Sequence, residues 1–133
     1  MITSSRVIVD TSVFISFFRG KSEPEFEKLL LENKIVLSPY VRLELLQGIR
    51  KNELSKLEYV LEGIELIPSG EETFEECEVL LREISGKGYV FGLVDLLLAA
   101  DSRIYDIPIY SYDKAFKILS DNKLIPGLLH LIH

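Results

Sequence analysis

The segment Val7-Ile8-Val9-Asp10-Thr11-Ser12 decides the fold of this 133-residue chain. Three β-branched residues in a row are typical of a short strand that is buried inside a parallel sheet. The polar residues that follow favour the start of a helix over residues 13–18, which Gly20 would end. A buried strand that passes directly into a helix predicts an α/β fold.

The same alternation continues along the chain. Further strands are predicted at residues 35–37, 64–67 and 107–110, with a last short strand at 124–125. Helical spacing of apolar residues predicts helices between them, over residues 38–49, 53–62, 72–84, 94–104 and 113–119. Strands that alternate with helices imply a central, mostly parallel sheet of four to five strands, covered on both faces, in a single domain spanning residues 1–133.

Two helix starts carry specific predictions. Ser22 and Glu25 have the spacing of a capping box, which would open a further helix that carries Phe26. Ser38 precedes Pro39, and this pair predicts a serine N-cap followed by proline in the first turn.

Charge and composition limit the possible functions. The chain has 15 basic and 21 acidic residues, for a net charge of −6. A protein that binds nucleic acid through phosphate contacts alone is normally basic, so nucleic-acid chemistry here would depend on local basic residues or on bound cations. No apolar run is long enough for a membrane helix, and the first residues lack a signal peptide. We therefore expect a cytoplasmic protein that has no membrane partner.

The cysteine and the histidines are not expected to carry chemistry. Cys77 is the only cysteine and lies on the apolar side of a predicted helix, where we expect it to be a core residue. His130 and His133 lie within the last four residues, without a nearby cysteine or histidine partner, so a catalytic or zinc-binding role is not expected.

Four acidic residues stand where a parallel sheet would gather them. Asp10 directly follows the first strand, and Asp113 comes three residues after the strand that ends at Tyr110. Asp95 opens an apolar helix, and Glu44 lies about two turns into the helix after the second strand. Because ligands bind at the carboxyl ends of the strands in such sheets, all four carboxylates can point toward one edge.

Each of these acids also has an ordinary structural alternative. Asp10 and Asp113 can cap helices, and Asp95 can be stabilised by a helix dipole. Glu44 can be a solvated surface residue. The neighbours of two of them favour function, since apolar residues follow Asp95 and leucines flank Glu44. Both are therefore predicted beside buried surface, where a charge needs a partner or a cation.

Clustered carboxylates have a clear chemical use. Without a cation they repel one another, and their pKa values rise. Mg²⁺ or Mn²⁺ prefers oxygen ligands and relieves that repulsion. Such an ion can polarise a phosphate and activate water for phosphodiester cleavage. The sequence shows no catalytic Ser-His-Asp or Cys-His set that would serve instead.

Four segments of the chain resemble the PIN-domain family, and most of all its compact VapC-type toxin branch. These segments match the pattern of that family in their order and spacing along the chain. They are Val7–Ser12, Val41–Gly48, Val94–Ala100 and Ser111–Phe116. It implies a three-layer α/β/α sandwich and a Mg²⁺- or Mn²⁺-dependent endoribonuclease. It also implies that the protein is the toxin of a toxin–antitoxin pair, that it forms a homodimer, and that a cognate antitoxin covers the acidic site.

The resemblance implies roles for particular residues. It assigns catalytic and metal-binding roles to Asp10, Glu44, Asp95 and Asp113, of which Asp113 stands at the most variable position. Supporting roles fall to Thr11, Ser12 and Ser111. Thr11 and Ser12 can instead be ordinary residues at a helix start. Ser111 stands where the family usually has threonine, and it keeps the hydroxyl group.

Contacts to RNA are less specific in the sequence. Basic residues close to the acids can bind phosphate or simply be solvated, and they are Arg19, Lys21, Arg42 and Lys114. Tyr40, Tyr110 and Tyr112 can stack on unpaired bases, although Tyr110, which ends a strand, can equally be buried.

Three other functions remain open at this point. One is a non-catalytic PIN-like module that binds RNA or protein, and another is an RNA-processing nuclease that has no antitoxin. The third is a phosphotransfer domain with Asp10 as phosphate acceptor. Against the third, residue 12 is serine rather than a second aspartate, and only Lys114 approximates the lysine of a receiver domain.

Overall fold

Five short parallel strands form the sheet in a computed structural model that describes residues 6–129. β1 (Val7–Val9) lies at the centre, between β2 (Ile35–Leu37) and β4 (Ile109–Tyr110). β3 (Glu65–Leu66) and β5 (Leu128–Leu129) form the two edges. All four pairings are parallel, so the expected α/β fold is confirmed, with five strands in a sheet that was predicted to have four to five.

Seven α-helices connect the strands within the described residues. They are α1 (Thr11–Phe18), α2 (Pro24–Leu31), α3 (Pro39–Gly48), α4 (Leu54–Glu62), α5 (Glu71–Glu83), α6 (Leu93–Tyr105) and α7 (Lys114–Asp121), and a single 3₁₀ turn, Lys51–Glu53, precedes α4. None of the helices within residues 6–129 is long and apolar enough to cross a membrane.

The core is continuous from the sheet into α6. All residues of β1 and β2 are buried, as a parallel sheet covered on both faces requires. Every residue of α6 from Leu96 to Ser102 is also buried. Cys77 is buried on α5, as predicted for a core cysteine. His130 and His133 lie outside the described residues.

The last strand lies four residues later than predicted. Leu124 does not pair in the sheet, because its amide donates to the carbonyl of Leu119 at 2.9 Å and closes the end of α7. Pro126 has no N–H to donate to a strand ladder. Pairing with β4 therefore starts at Leu128, which is in register with Ile109.

One of the two predicted caps is correct. The Ser38 hydroxyl accepts a hydrogen bond from the Tyr40 amide at 3.1 Å, which confirms the N-cap of α3. The capping box at Ser22 was a wrong prediction, because α2 begins at Pro24 and the Ser22 hydroxyl donates to Glu27 Oε2 at 2.8 Å. Proline favours the first position of a helix, and this preference sets the start of α2.

Candidate active site

Asp10 lies at the carboxyl end of β1 and is almost completely buried, with 5% of its surface exposed. Its side chain does not cap α1. Instead, Oδ2 accepts hydrogen bonds from the hydroxyls of Ser111 at 2.8 Å and Ser12 at 3.0 Å. Burial raises the pKa of Asp10, and the two serine hydrogen bonds oppose that rise. Two donors therefore fix the direction of this carboxylate.

The same two serines tie the loop after β4 to the end of β1. The Asp113 amide donates to Ser111 Oγ at 2.9 Å, and the Tyr112 amide donates to Ser12 Oγ at 3.3 Å. Each serine hydroxyl thus accepts a hydrogen bond from a backbone amide and donates one to Asp10 Oδ2. The two hydroxyl groups link two successive amides to one carboxylate oxygen. This arrangement holds the Asp113 segment beside Asp10 across the junction of β1 and β4.

Asp95 occupies the first turn of α6 and is partly buried. Burial is the largest cause that raises its pKa, which reaches about 7. The charges of Asp10, Asp113 and Glu44 raise it further. Three of the four acids predicted from the sequence, Asp10, Asp113 and Glu44, therefore lie within electrostatic range of the fourth, Asp95, at the carboxyl edge of the sheet.

Glu44 reaches this edge from the surface. The sequence predicted it beside buried surface, but its side chain is exposed. The reason is the rotation of α3, which turns Val41 and Leu45 into the core and leaves Glu44 facing α1. There Glu44 Oε1 accepts a hydrogen bond from Thr11 Oγ1 at 2.6 Å. Thr11 thus holds the glutamate on the side of the site.

Asp113 is exposed, and it caps a helix, which is the structural alternative that the sequence left open. It is the N-cap of α7, and its Oδ1 accepts a hydrogen bond from the Ala115 amide at 3.0 Å. Capping does not remove its charge, which still raises the pKa of Asp10 and of Asp95.

The carboxylates do not form a closed ligand set as they stand. Within residues 6–129, no three acidic, cysteine or histidine side chains are arranged so that they could together hold a metal ion. Asp10, Glu44 and Asp113 are each held by a hydroxyl or amide donor of their own segment or a neighbouring one. Their assignment as metal ligands stays a prediction.

The basic residues that were candidates for binding phosphate lie in different parts of the structure. Arg19 lines a small cavity together with Glu44. Arg42 lines a separate groove with Glu58 and Glu62, on another side of α3. Lys21 and Lys114 are exposed, and neither forms an ion pair within the described residues.

The tyrosines form a hydrogen-bonded group that the sequence did not reveal. Tyr110 is fully buried, and its hydroxyl donates to Glu23 Oε1 at 3.2 Å. Tyr112 is partly buried and donates to the same oxygen. Burial is the first cause that raises the pKa of both tyrosines, that of Tyr112 to about 12. Glu23 is 87 residues from Tyr110 in the chain, and no local motif connects them. Tyr110 is thus not available to stack on a base.

Comparisons with known proteins show the family and the fold. The sequence matches the PIN domain family over residues 7–122. A comparison with the sequences of curated proteins gives no match.

The fold is similar to several solved structures. The structure of VapBC2 from Rickettsia felis bound to a DNA fragment from the promoter aligns with a TM-score of 0.75 at 23% identity, covering 94% of this chain and 98% of that one. DNA-bound VapBC from Salmonella typhimurium aligns with a TM-score of 0.75 at 19% identity, covering 96% and 97%. VapBC-5 from Mycobacterium tuberculosis aligns with a TM-score of 0.67 at 18% identity, covering 96% and 99%.

Proposed function

Because this chain belongs to the PIN domain family, we propose that it is a metal-dependent endoribonuclease that acts in the cytoplasm as the toxin of a toxin–antitoxin pair. One observation carries the proposal. The carboxylates of Asp10, Glu44 and Asp113 converge on Asp95. Burial, together with the repulsion from these three charges, raises the pKa of Asp95 to about 7. Perturbed pKa values cluster at functional sites, and a bound cation would relieve this repulsion.

The donor set fits a hard divalent cation. The four side chains offer only carboxylate oxygens, which Mg²⁺ and Mn²⁺ prefer. We assign the binding of Mg²⁺ or Mn²⁺ to Asp10, Glu44, Asp95 and Asp113. When bound, such a cation supplies Lewis-acid activation of water and neutralises the charge that develops on the phosphate.

The side chains around the acids prepare the site. Ser12 and Ser111 orient Asp10, and Thr11 holds Glu44. Burial and the neighbouring carboxylates raise the pKa of Asp95 to about 7, so without a cation this side chain binds a proton near neutral pH more readily than an isolated aspartate does. We infer that this proton limits the charge of the site and is released when a cation binds.

Exposed leucines beside the site support a homodimer. Leu43 on α3 is 64% exposed and Leu93 on α6 is 70% exposed, and each lies within two residues of a site acid. Exposed apolar side chains beside a site can serve as protein contacts. We propose that a second copy of the chain covers one or both of these leucines.

An antitoxin is the proposed inhibitory partner. Similar structures include VapBC toxin–antitoxin complexes, such as VapBC-5 of Mycobacterium tuberculosis. A site with four acids, on a chain of net charge −6, would attract a basic segment of a partner. A basic inhibitor segment would therefore compete with the cation and with RNA for the same edge of the sheet.

Incubation of the purified chain with labelled single-stranded RNA tests the proposal. We expect cleavage in Mn²⁺ or Mg²⁺, none in EDTA, and a loss on the order of 100-fold or more in Asp10→Asn, because the cation contributes several kcal/mol to such a reaction. Asp106→Asn is the matched control, since Asp106 lies at the far end of α6 in a left-handed conformation that asparagine also adopts.

Two results would contradict the proposal. One is cleavage that persists in EDTA, and the other is an Asp10→Asn variant as active as Asp106→Asn. A chain that binds RNA without cutting it in either metal would instead be a PIN-like binding module.

A further inference from the structure

Side chains alternate in direction where β4 runs into the loop that carries Asp113. Residues two apart in extended backbone share a face. The rings of Tyr110 and Tyr112 accordingly meet edge to face, with centroids 6.2 Å apart. Ser111, between them, points to Asp10 and donates its hydroxyl to Asp10 Oδ2 at 2.8 Å. The serine that orients Asp10 is therefore flanked by two tyrosines that turn the other way.

A single carboxylate oxygen joins these two tyrosines. Glu23 is the N-cap residue of α2, yet in the described part of the chain its carboxylate makes no capping hydrogen bond. Glu23 Oε1 instead accepts a hydrogen bond from the Tyr110 hydroxyl at 3.2 Å and another from the Tyr112 hydroxyl. One carboxylate oxygen can accept both bonds, because it has two lone pairs. We call Glu23, Tyr110 and Tyr112 the tyrosine clamp.

The clamp is supported by two helices. The Tyr110 ring is fully buried and packs against Phe26 of α2, with centroids 6.3 Å apart. The segment before Glu23 is tied to α1, because the Ser16 hydroxyl donates to the Lys21 carbonyl at 3.0 Å and the Lys21 amide donates to the Ser16 carbonyl at 2.8 Å. The acceptor of the clamp thus stands on packed structure.

The other side of the clamp leads to the acids. The Tyr112 amide donates to Ser12 Oγ at 3.3 Å, and the Asp113 amide donates to Ser111 Oγ at 2.9 Å. These are the two serine hydroxyls that donate to Asp10 Oδ2. A displacement of Tyr112 would therefore shift both donors of Asp10, together with the backbone that carries the Asp113 carboxylate.

We propose that Glu23 is a positioning residue of the active site, which acts through Tyr110 and Tyr112 to set the direction of the Asp10 carboxylate and the place of Asp113. The inference rests on the proposed ribonuclease function. The clamp takes no part in the chemistry itself. It restrains the loop after β4, so that the acids keep the geometry that the reaction requires.

The two tyrosines should contribute unequally. Tyr110 is already fixed by its place in β4, which pairs with strands on both sides. Tyr112 lies beyond the strand, so its hydroxyl is the part of the clamp that restrains the loop. Loss of the Tyr112 hydroxyl should therefore affect the site more than loss of the Tyr110 hydroxyl, and loss of the shared acceptor should have the largest effect.

Four variants of the full chain test the clamp. Tyr112→Phe removes a hydroxyl and keeps the ring, Glu23→Ala removes the acceptor, and Glu23→Gln keeps an oxygen that can accept both bonds. Tyr105→Phe is the matched control, because the Tyr105 hydroxyl also donates a hydrogen bond, to the Pro68 carbonyl at 2.6 Å, at the far end of α6. Thermal melting verifies that each variant is folded.

The first measurement needs neither metal nor RNA. NMR gives the rate at which the amide hydrogens of residues 112 and 113 exchange with solvent. Both amides should exchange about two- to tenfold faster in Tyr112→Phe, as expected for the loss of one hydrogen bond that restrains them. Glu23→Ala should be at least as fast, whereas Glu23→Gln and Tyr105→Phe should match the wild type. A contact that merely stabilised the whole fold would change the melting temperature and leave the contrast with Tyr105→Phe absent.

The second measurement is the affinity for Mn²⁺ without RNA, from electron paramagnetic resonance of the free ion. Removal of a group that orients a metal ligand typically weakens binding 10- to 100-fold, and Tyr112 acts one hydrogen bond further away, so we expect about three- to tenfold weaker binding in Tyr112→Phe. In RNA cleavage, kcat should fall while KM stays unchanged. Tyr112→Phe should add little to Glu23→Ala, because both variants break the same bond.

Two results would overturn the inference. One is a Tyr112→Phe chain with the exchange rates and Mn²⁺ affinity of Tyr105→Phe, and the other is a Glu23→Gln chain as impaired as Glu23→Ala. If Tyr112→Phe cleaves RNA as Tyr105→Phe does in Mn²⁺, the clamp is wrong and the ribonuclease function stands. A wild type that cuts no RNA in either metal would count against that function, and the amide exchange rates would then decide the inference by themselves.

Discussion

Asp95 and Asp101 lie six residues apart on one helix, α6, and their surroundings are opposite. Asp101 is fully buried, and it accepts hydrogen bonds from Thr73 Oγ1 at 2.6 Å and from Ser69 Oγ at 2.7 Å. Asp95 is less buried, yet it meets the negative charges of three other carboxylates. The fold thus supplies donors to one aspartate and like charges to the other.

The contrast shows how to distinguish a structural acid from a functional one. Both aspartates have a raised pKa, and burial is the first cause in each case. The shift alone therefore does not separate them. What separates them is the second contribution, which is hydroxyl donors that lower the pKa of Asp101 and carboxylates that raise the pKa of Asp95. The repulsion around Asp95 comes from three carboxylates and can be relieved from outside, by a cation or a basic group.

Replacement of Asp95 by asparagine should have the largest effect on activity. The change keeps the size of the side chain but removes one of the four charges, so metal-dependent RNA cleavage should fall on the order of 100-fold or more. In EDTA the same variant should melt at a higher temperature than the wild type, because repulsion has been removed. RNA cleavage and thermal melting measure the two effects. An active Asp95→Asn chain, or one that melts lower in EDTA, would contradict the assignment of Asp95 as the functional acid.

Removal of Asp101 should have the opposite pattern. Asp101→Ala leaves the hydroxyls of Ser69 and Thr73 without their acceptor in the interior, and we expect a loss of about 2–4 kcal/mol in the free energy of unfolding. Cleavage per folded molecule should stay within about twofold, since no bond from Asp101 reaches the site. Urea unfolding measures the loss.

The matched control for that loss is Asp121→Ala. Asp121 forms an exposed ion pair with Lys117 at 3.1 Å, which contributes only about 0.5 kcal/mol. Equal stability of the two alanine variants would show that Asp101 is not the structural acid of the pair.

The sequence predicted the parts of the site that depend on topology. Asp10 follows a β-branched strand, and parallel strands end at one edge, so residues that follow them gather there whatever the details of packing. The positions of Asp10 and Asp113 followed from this rule, whereas Asp95 opens α6, which follows a helix and not a strand. The helix start at Ser38 and Pro39 could likewise be predicted from the sequence, because a helix cap is a local structure.

The parts that depend on packing between distant segments could not be predicted. The exposure of Glu44 is set by the rotation of α3 against α1, which leucine neighbours do not reveal. The hydrogen bonds of Asp101 join α6 to the start of α5, 28 to 32 residues away. No fixed spacing in the sequence indicates such contacts, because the three-dimensional fold brings the partners together.

Within any one pH unit, the smallest expected effect is a pH dependence of stability that a divalent cation removes. The folded-state pKa of Asp95, about 7, lies above the ordinary value of 3.8, so the folded chain binds its proton more tightly than the unfolded chain. The contribution of Asp95 is therefore fully present below pH 4 and is lost as pH rises through about 7. One proton changes the free energy of unfolding by at most about 1.4 kcal/mol per pH unit.

Buried Asp10 and Asp101 shift in the same direction, so the pH dependence must be assigned by difference. Urea unfolding in EDTA between pH 4 and 9 should show a smaller decline with rising pH in Asp95→Asn than in the wild type. Mg²⁺ should flatten the wild-type decline, since a cation offsets the charges that accumulate at Asp95 and Asp10. It should leave any decline from Asp101 in place, because that carboxylate is enclosed by Ser69 and Thr73. If Mg²⁺ does not change the wild-type decline, a cation does not relieve the repulsion at Asp95. Asp95 would then be a structural acid, as Asp101 is.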